Sequence, residues 1–164
     1  MSHLLRRLLL IVILCLSMIA CEKEELTIEN PINEIEMQYI SFELEVANVV
    51  NEHRKELGLP TLKLLNIISK EAESHSIYMV QKSSLNHDNL DTRISNLINK
   101  ADALIVGENV AYGYNIAENV LQGWLNSETH REKIEGKYYT DFGISAKKNN
   151  SGGYYITQIF IKRD

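Results

Sequence analysis

Two histidines and one glutamate are of the residue types that a chemical site uses. Glu108 lies between two glycines in residues 107–113 (GENVAYG), His87 lies upstream after a polar turn, and His130 lies downstream in residues 127–131 (SETHR). Imidazole and carboxylate groups are common Zn²⁺ ligands, and three protein ligands with an open position is the catalytic pattern. An acid/base pair or a satisfied polar network fits the same residue types. The separations of 21 and 22 residues match no motif, so these interpretations all stay open.

Glu108 lies in a segment whose apolar residues alternate as in a strand. A strand would place Val110 and Tyr112 on one face and Ala111 on the other. Carboxylates are rarely buried without a partner. Glu108 therefore requires either a neutralising partner or a function.

Several other catalytic chemistries are not supported by the chain. It contains no HExxH and no GxSxG motif. Cys15 lies in an N-terminal apolar run that we expect to be removed, and Cys21 is the expected acylation site. The folded domain is therefore expected to contain no disulfide, CxxC zinc site or cysteine nucleophile.

The N-terminus has the pattern of an export signal. Arg6 and Arg7 precede an apolar run over residues 8–20, which has the length of a signal-peptide core. Residues 18–21 (MIAC) resemble a bacterial lipobox, in which the signal is cut before a cysteine that is then lipidated. We predict a signal peptide over residues 1–20, a lipidated Cys21 with an acidic tether to residue 40, and a folded domain over residues 41–164. An ordinary secretory signal with an incidental cysteine is the alternative.

The charge of the chain disfavours nucleic acid as a partner. The 164 residues carry a formal net charge of −5, and removal of residues 1–20 leaves 15 basic and 22 acidic residues, or −7. A nucleic-acid-binding domain requires a basic face. We therefore expect no nucleic-acid partner and a membrane contact through lipidated Cys21.

Hydrophobic periodicity predicts four helices followed by a hairpin. His75 lies on the apolar stripe of the second helix and is expected to be a hydrogen-bonded core histidine, and Trp124 is expected to pack in the core. The last strand has apolar residues on both faces, which indicates a sheet covered on both sides. The predicted fold is α+β: a three-layer α-β-α sandwich with a small antiparallel sheet. The predicted elements are helices near residues 41–57, 64–82, 91–100 and 116–125, and strands near residues 107–113, 142–146 and 154–161.

Six blocks spread over residues 42–162 resemble, in order, the motifs of bacterial CAP domains (the cysteine-rich secretory, antigen 5 and pathogenesis-related superfamily, also called SCP-like). The blocks are VNEHR (50–54) with GLP (58–60), AESHS (72–76) with Met79, NH (86–87), GENVA (107–111), WLNS (124–127) with HR (130–131) and Ile134, and FGI (142–144) with TQIF (157–160).

The resemblance implies an α-β-α sandwich with a cleft that is lined by two histidines and usually two acids. By motif position, His87 and His130 are the histidines, Glu108 is the first acid, and Asn109 is a further cleft residue. Ser127 lies where many members have the second acid. The resemblance therefore implies an incomplete acidic set, with His87 and His130 as the expected ligands for Zn²⁺ or another divalent metal.

These features predict a lipid-anchored, monomeric, extracytoplasmic CAP protein that acts as a non-catalytic binding module. Its expected ligand is an envelope component, a host protein or a lipid. Its expected location is the outer membrane, with exposure at the cell surface left open. One alternative is a zinc-dependent hydrolase or protease with Glu108 and His130 as candidate catalytic residues. The other is a sterol- or lipid-binding protein.

Overall fold

The computed structural model describes residues 36–164. The predicted signal peptide, the lipidation site at Cys21 and most of the tether lie outside these residues. The elements, in chain order, are α1 (Ser41–Glu56), β1 (Lys63–Leu64), α2 (Asn66–Lys82), α3 (Leu90–Ala101), β2 (Ile105–Tyr112), α4 (Ala117–Leu125), α5 (Glu128–Glu135), β3 (Asp141–Lys148) and β4 (Tyr154–Lys162).

The four strands form one sheet in the order β1-β3-β4-β2. The strand β4 is central and pairs antiparallel with both β3 and β2. The two-residue β1 adds a short parallel pairing with β3 at the edge of this otherwise antiparallel sheet. The reason is that the chain between α1 and α2 runs briefly alongside β3 in the same direction.

Helices cover both faces of the sheet, as predicted. On one face α1, α4 and α5 pack against β4 residues such as Ile156 and Phe160. On the other face α2 and α3 pack against Ile159 and Ile161. Because successive strand side chains point to opposite faces, the apolar residues of β4 serve both cores. The α-β-α sandwich is confirmed.

Side chains from α1 and α2 cover the edge of β3 beyond the short β1. The Ser69 hydroxyl accepts a hydrogen bond from the Ile144 N–H at 3.2 Å, and a Glu43 carboxylate oxygen accepts one from the Ala146 N–H at 2.7 Å. A side chain at Gly143 would collide with the backbone of α2. The glycine therefore allows the close approach that fixes α2 on the sheet.

Arg54 fixes α5 against the end of α1. Its side chain is fully buried, and its Nε donates to the Pro60 carbonyl at 2.9 Å. Its Nη1 donates to the carbonyls of Ile134 at 2.6 Å and Gly136 at 3.0 Å, beside the end of α5. A cation is favourable there because helix C-terminal carbonyls carry partial negative charge. These Arg54 hydrogen bonds fix the position of α5, the helix that contains His130.

The helix α5 was not predicted from the sequence. Its eight residues include five charged ones, so it lacks an apolar stripe from which periodicity could identify it. Only Ile134 is buried in it.

Candidate functional site

Glu108 and Asn109 lie next to each other on the edge strand β2 and face opposite sides of the sheet. Glu108 lies on the side of α2 and α3, where it contacts Arg93. Asn109 lies on the side of α5, where its Nδ2 donates to the His130 carbonyl at 3.0 Å. The strand alternation therefore gives the two residues separate environments.

The Glu108 carboxylate is fully buried and bound on both oxygens. Arg93 donates from Nε to Oε2 at 2.6 Å and from the Nη2 nitrogen to Oε1 at 2.8 Å. His87 Nδ1 lies 2.7 Å from Oε1, and His75 Nε2 lies 3.9 Å from the same oxygen. The fork of two parallel bonds is the strong arginine–carboxylate geometry. Arg93 is thus the neutralising partner that the sequence argument required.

These contacts keep Glu108 ionised. Burial by itself raises the pKa of the Glu108 carboxyl, but the hydrogen bonds from His87 and Arg93 and the charge of Arg93 outweigh it, so the pKa is lowered. An ionised carboxylate whose two oxygens are already bound is poorly suited to take up a proton or to bind a metal. The geometry therefore favours the satisfied polar network for Glu108.

His87 is the part of this network that reaches solvent, with 45% of its side chain exposed. The carboxylate can only accept a hydrogen bond, so Nδ1 of His87 must donate it. In the neutral ring this leaves Nε2 as an acceptor, and Nε2 has no hydrogen-bond partner among residues 36–164. Glu108 thereby fixes the tautomer and orientation of His87, as carboxylates do for many functional histidines.

His75 is a buried, hydrogen-bonded core histidine, as predicted. Its Nε2 lies 2.9 Å from the Asn86 carbonyl, which ties α2 to the loop that precedes His87. Burial is the main cause of the lowered pKa of His75. Because a neutral ring is favoured, His75 acts as a donor that holds the His87 loop in place.

His130 lies on α5, on the other side of the edge strand. Burial is the main cause of the lowered pKa of His130, and the charges of Lys133 and His87 add to it. Lys133 is held nearby, since its Nζ donates to the Thr129 carbonyl at 2.8 Å. The field at His130 therefore favours the neutral imidazole.

A cavity of about 220 Å³ lies between His130 and the end of β2. Trp124 contributes a wall of this cavity, and its Nε1 donates to the Val110 carbonyl at 3.0 Å. A side chain at Gly123 would meet the Tyr114 ring, so Gly123 allows Tyr114 to lie against α4. We call this cavity the β2 cleft; it is lined by Leu85, Val110, Ala111, Tyr112, Tyr114, Gly123, Trp124 and His130.

The described part of the chain does not provide the three ligands of a catalytic zinc site. No group of three or more His, Cys, Asp or Glu side chains is arranged to hold a metal ion within residues 36–164. Glu108 is committed to Arg93 and His87. The metal-dependent hydrolase is therefore not supported, and metal binding by His87 and His130 alone stays a prediction.

Arg93 is the site residue that the sequence reasoning missed. Arg93, Leu97 and Ala101 recur every four residues on α3 and are all buried. The sequence contains a signal for the Arg93–Glu108 pair. An arginine lies on the apolar stripe of an amphipathic helix, and the same chain contains a carboxylate that needs a partner.

Ser127 precedes α5 but is not among the residues that line the β2 cleft. Its hydroxyl lies 3.3 Å from that of Thr129 and makes no capping bond. Glu128 begins a new helix rather than continuing α4. A ligand-binding role for Ser127 stays a prediction.

Comparison with protein families identifies a match over most of the chain. The model of the cysteine-rich secretory protein family, CAP, matches residues 47–160. The uncharacterised protein YkwD of Bacillus subtilis is 31% identical over 127 residues, which make up 74% of this chain and 47% of YkwD. The uncharacterised membrane protein YlbC of the same species is 30% identical over 126 residues, or 34% of its length. The chain thus spans less than half the length of these relatives.

Solved structures share the same fold. An extracellular SCP-domain protein from Bacillus anthracis has a TM-score of 0.66 at 26% identity, covering 74% of this chain and 40% of that one. An outer surface protein from Borrelia burgdorferi has a TM-score of 0.67 at 22% identity, covering 79% of this chain and all of that one. The second likeness shows the fold alone.

Proposed function

The chain belongs to the CAP family of cysteine-rich secretory proteins, and on that premise we propose that it is a lipid-anchored, extracytoplasmic binding module. The proposed ligand site is the β2 cleft, with His130 as the histidine of its lining. His87 is not a lining residue, but its charge acts on the pKa of His130, and we include it in the proposed site as a second polar group. The proposed ligand is an envelope component, a host protein or a lipid.

The observation that supports binding over hydrolysis is the state of Glu108. A general base must reach the proton that it abstracts. Glu108 has no exposed side-chain surface, and both carboxylate oxygens are held by Arg93 and His87. The acid that the family motif places in the cleft therefore orients His87 instead of acting on a ligand.

Assays for turnover test this proposal directly. The purified full-length chain should release no product from casein or p-nitrophenyl acetate above a heat-treated control, with or without added Zn²⁺. Turnover that disappears in Glu108→Gln while the variant stays folded would contradict the proposal. The exposed Glu132→Gln on α5 is the matched control.

Zinc titration tests the cofactor prediction separately. Two imidazoles without a third side-chain ligand should give weak binding, so calorimetry near neutral pH should show no tight zinc site. Tight binding that is lost in the His87→Ala/His130→Ala variant would show that the two histidines hold the metal together.

The extracytoplasmic location is supported by the likeness to a Bacillus anthracis protein that is named as extracellular. No helix within residues 36–164 is long and apolar enough to cross a bilayer. Two acyl chains on Cys21 would provide the durable anchor that a single chain cannot. Metabolic labelling with palmitate should mark the wild type and not Cys21→Ala, and protease treatment of intact cells should separate surface from periplasmic exposure.

A further inference from the structure

A second cavity, of about 340 Å³, lies between α2 and α3 and shares no lining residue with the β2 cleft. Four of its residues belong to α2, and four belong to the start of α3 or directly precede it. Its volume lies at the lower end of the range for small-molecule sites. We call it the α2/α3 cavity.

The charged groups that line this cavity are all paired within the protein. Arg93 is bound to Glu108. Glu71 accepts from Asn96 Nδ2 at 3.1 Å and lies 3.4 Å from Lys100 Nζ. His75 is buried, and burial lowers its pKa. A charged ligand would therefore find no unpaired opposite charge in the lining.

The groups left for a ligand are uncharged hydroxyls and amides. The side chains of Ser74, Asn89 and Thr92 make no hydrogen bond to any described residue, and Asn96 uses only its Nδ2. They reach the cavity from both of its walls. Hydroxyl and amide groups donate and accept at once, which matches the mixed donor and acceptor character of sugar hydroxyls.

An aromatic side chain completes the lining. Tyr78 is fixed because its hydroxyl donates to Asp88 at 2.8 Å and its ring stacks with His75 at 6.0 Å between centroids. A rigid ring adds apolar contact area at low entropic cost, as aromatic residues do in other binding sites.

From the paired charges, the unpaired neutral groups and the fixed ring, we propose that the α2/α3 cavity binds an uncharged saccharide. Its size suits one or two sugar rings. The site is separate from the β2 cleft, so this inference does not depend on the proposed function of that cleft.

Chemical-shift titration of the ¹⁵N-labelled full-length chain tests the proposal. The probes are N,N′-diacetylchitobiose and maltose as neutral disaccharides, and glucuronate as the charged comparison. Thr92→Phe fills the cavity from the exposed start of α3. Ser95→Phe places the same ring at an exposed position of α3 outside the lining.

We expect saturable shifts at Ser74, Asn89, Thr92 and Asn96 with a dissociation constant on the order of 1 mM for at least one disaccharide. Affinity should fall about tenfold or more in Thr92→Phe, which is a loss of about 1.4 kcal/mol, and should be unchanged in Ser95→Phe. The absence of saturable shifts with either disaccharide at about 50 mM would overturn the proposal. A stronger response to glucuronate, or shifts confined to Trp124 and His130, would also overturn it.

Discussion

The buried polar groups on the two sides of β2 differ in their hydrogen bonding. On the α2/α3 side, Glu108 is buried and every carboxylate oxygen is bound. On the α4/α5 side, Asn109 Oδ1 and both amide atoms of its cross-strand neighbour Gln158 are buried and have no hydrogen-bond partner among the described residues. The buried Glu108 carboxylate is therefore fixed by its hydrogen bonds, whereas burial of the Asn109 oxygen and the Gln158 amide without partners costs stability.

This contrast indicates where the cleft is fixed and where it can adapt. The Arg93–Glu108 pair holds His87 in one orientation, whereas His130 is held through its backbone carbonyl by Asn109. The hydrogen bond from Asn109 to the His130 carbonyl fixes the position of α5 but leaves the His130 imidazole free to turn. His87 is thus the preorganised histidine of the pair, and we expect His130 to adjust when a ligand enters.

The largest expected effect comes from breaking the satisfied face. Arg93→Met leaves Glu108 buried without its main partner, and removal of one member of a buried ion pair costs about 3–5 kcal/mol. Urea denaturation should show this loss in the free energy of unfolding. The exposed Arg131→Met on α5 should change it by less than about 0.5 kcal/mol.

A double replacement distinguishes a charge effect from lost packing. In Arg93→Met/Glu108→Leu no charge is left unpaired, so much of the lost stability should return, as observed when apolar residues replace buried pairs. If the double variant is as unstable as the sum of the two single variants, the energetic role of the pair is wrongly assigned.

Low pH should reduce the stabilisation that ionised Glu108 provides. The pKa of Glu108 is lowered in the folded protein, so the unfolded state takes up its proton first, near the ordinary value of about 4.3. The stabilisation is present above that pH and is lost as the pH falls through the lower folded value. The stability of the wild type should therefore decrease more steeply below about pH 4.5 than that of Glu108→Gln, measured by urea denaturation at successive pH values. Parallel curves would contradict this.

Gln158→Met tests the α4/α5 side of the sheet. It should raise the free energy of unfolding, by less than Arg93→Met lowers it. An amide buried without hydrogen bonds costs about 1–3 kcal/mol by mutational comparison, and Met has a similar volume and no polar atoms. We expect stabilisation of about 1 kcal/mol and a raised midpoint of unfolding. Gln122→Met, at an exposed position on α4, is the control. Destabilisation by more than about 1 kcal/mol would show that the Gln158 amide is satisfied in solution.

The sequence predicted the layers of the fold because apolar periodicity records burial directly. The two apolar faces of β4 predicted helices on both sides, and the stripe that contains Trp124 predicted α4. Arg93 was missed because the stripe of Arg93, Leu97 and Ala101 does not by itself state whether its arginine faces solvent or a buried carboxylate. Its partner lies 15 residues away, and only the fold brings them together.

The candidate site was predictable only as a set of residue types. The family motif indicated Glu108, His87, Asn109 and His130. The spacing of these residues does not predict that Glu108 faces α3 while Asn109 faces α5. That separation depends on the strand register and on which helices cover each side, which are long-range properties of the chain.

The smallest expected effect distinguishes buried His75 from half-buried His130. Burial is the main cause of both lowered pKa values, but the charge of Lys133 lowers only that of His130. Lys133→Met should therefore raise the pKa of His130 toward its ordinary value of 6.5 and leave that of His75 unchanged, as measured by imidazole ¹H–¹³C shifts against pH.

The same variant should change stability in a direction that follows from linkage. With a lowered folded pKa, His130 binds its proton first in the unfolded state. The stabilisation from its neutral ring is therefore present above about pH 6.5 and is lost as the pH drops through the folded value. Raising the folded pKa of His130 brings it closer to the unfolded value, so the pH range over which His130 destabilises the folded state becomes narrower. Lys133→Met should therefore lose less stability between neutral and mildly acid pH than the wild type. If the pKa of His75 shifts together with that of His130 in this variant, the assignment of the Lys133 charge to His130 alone is wrong.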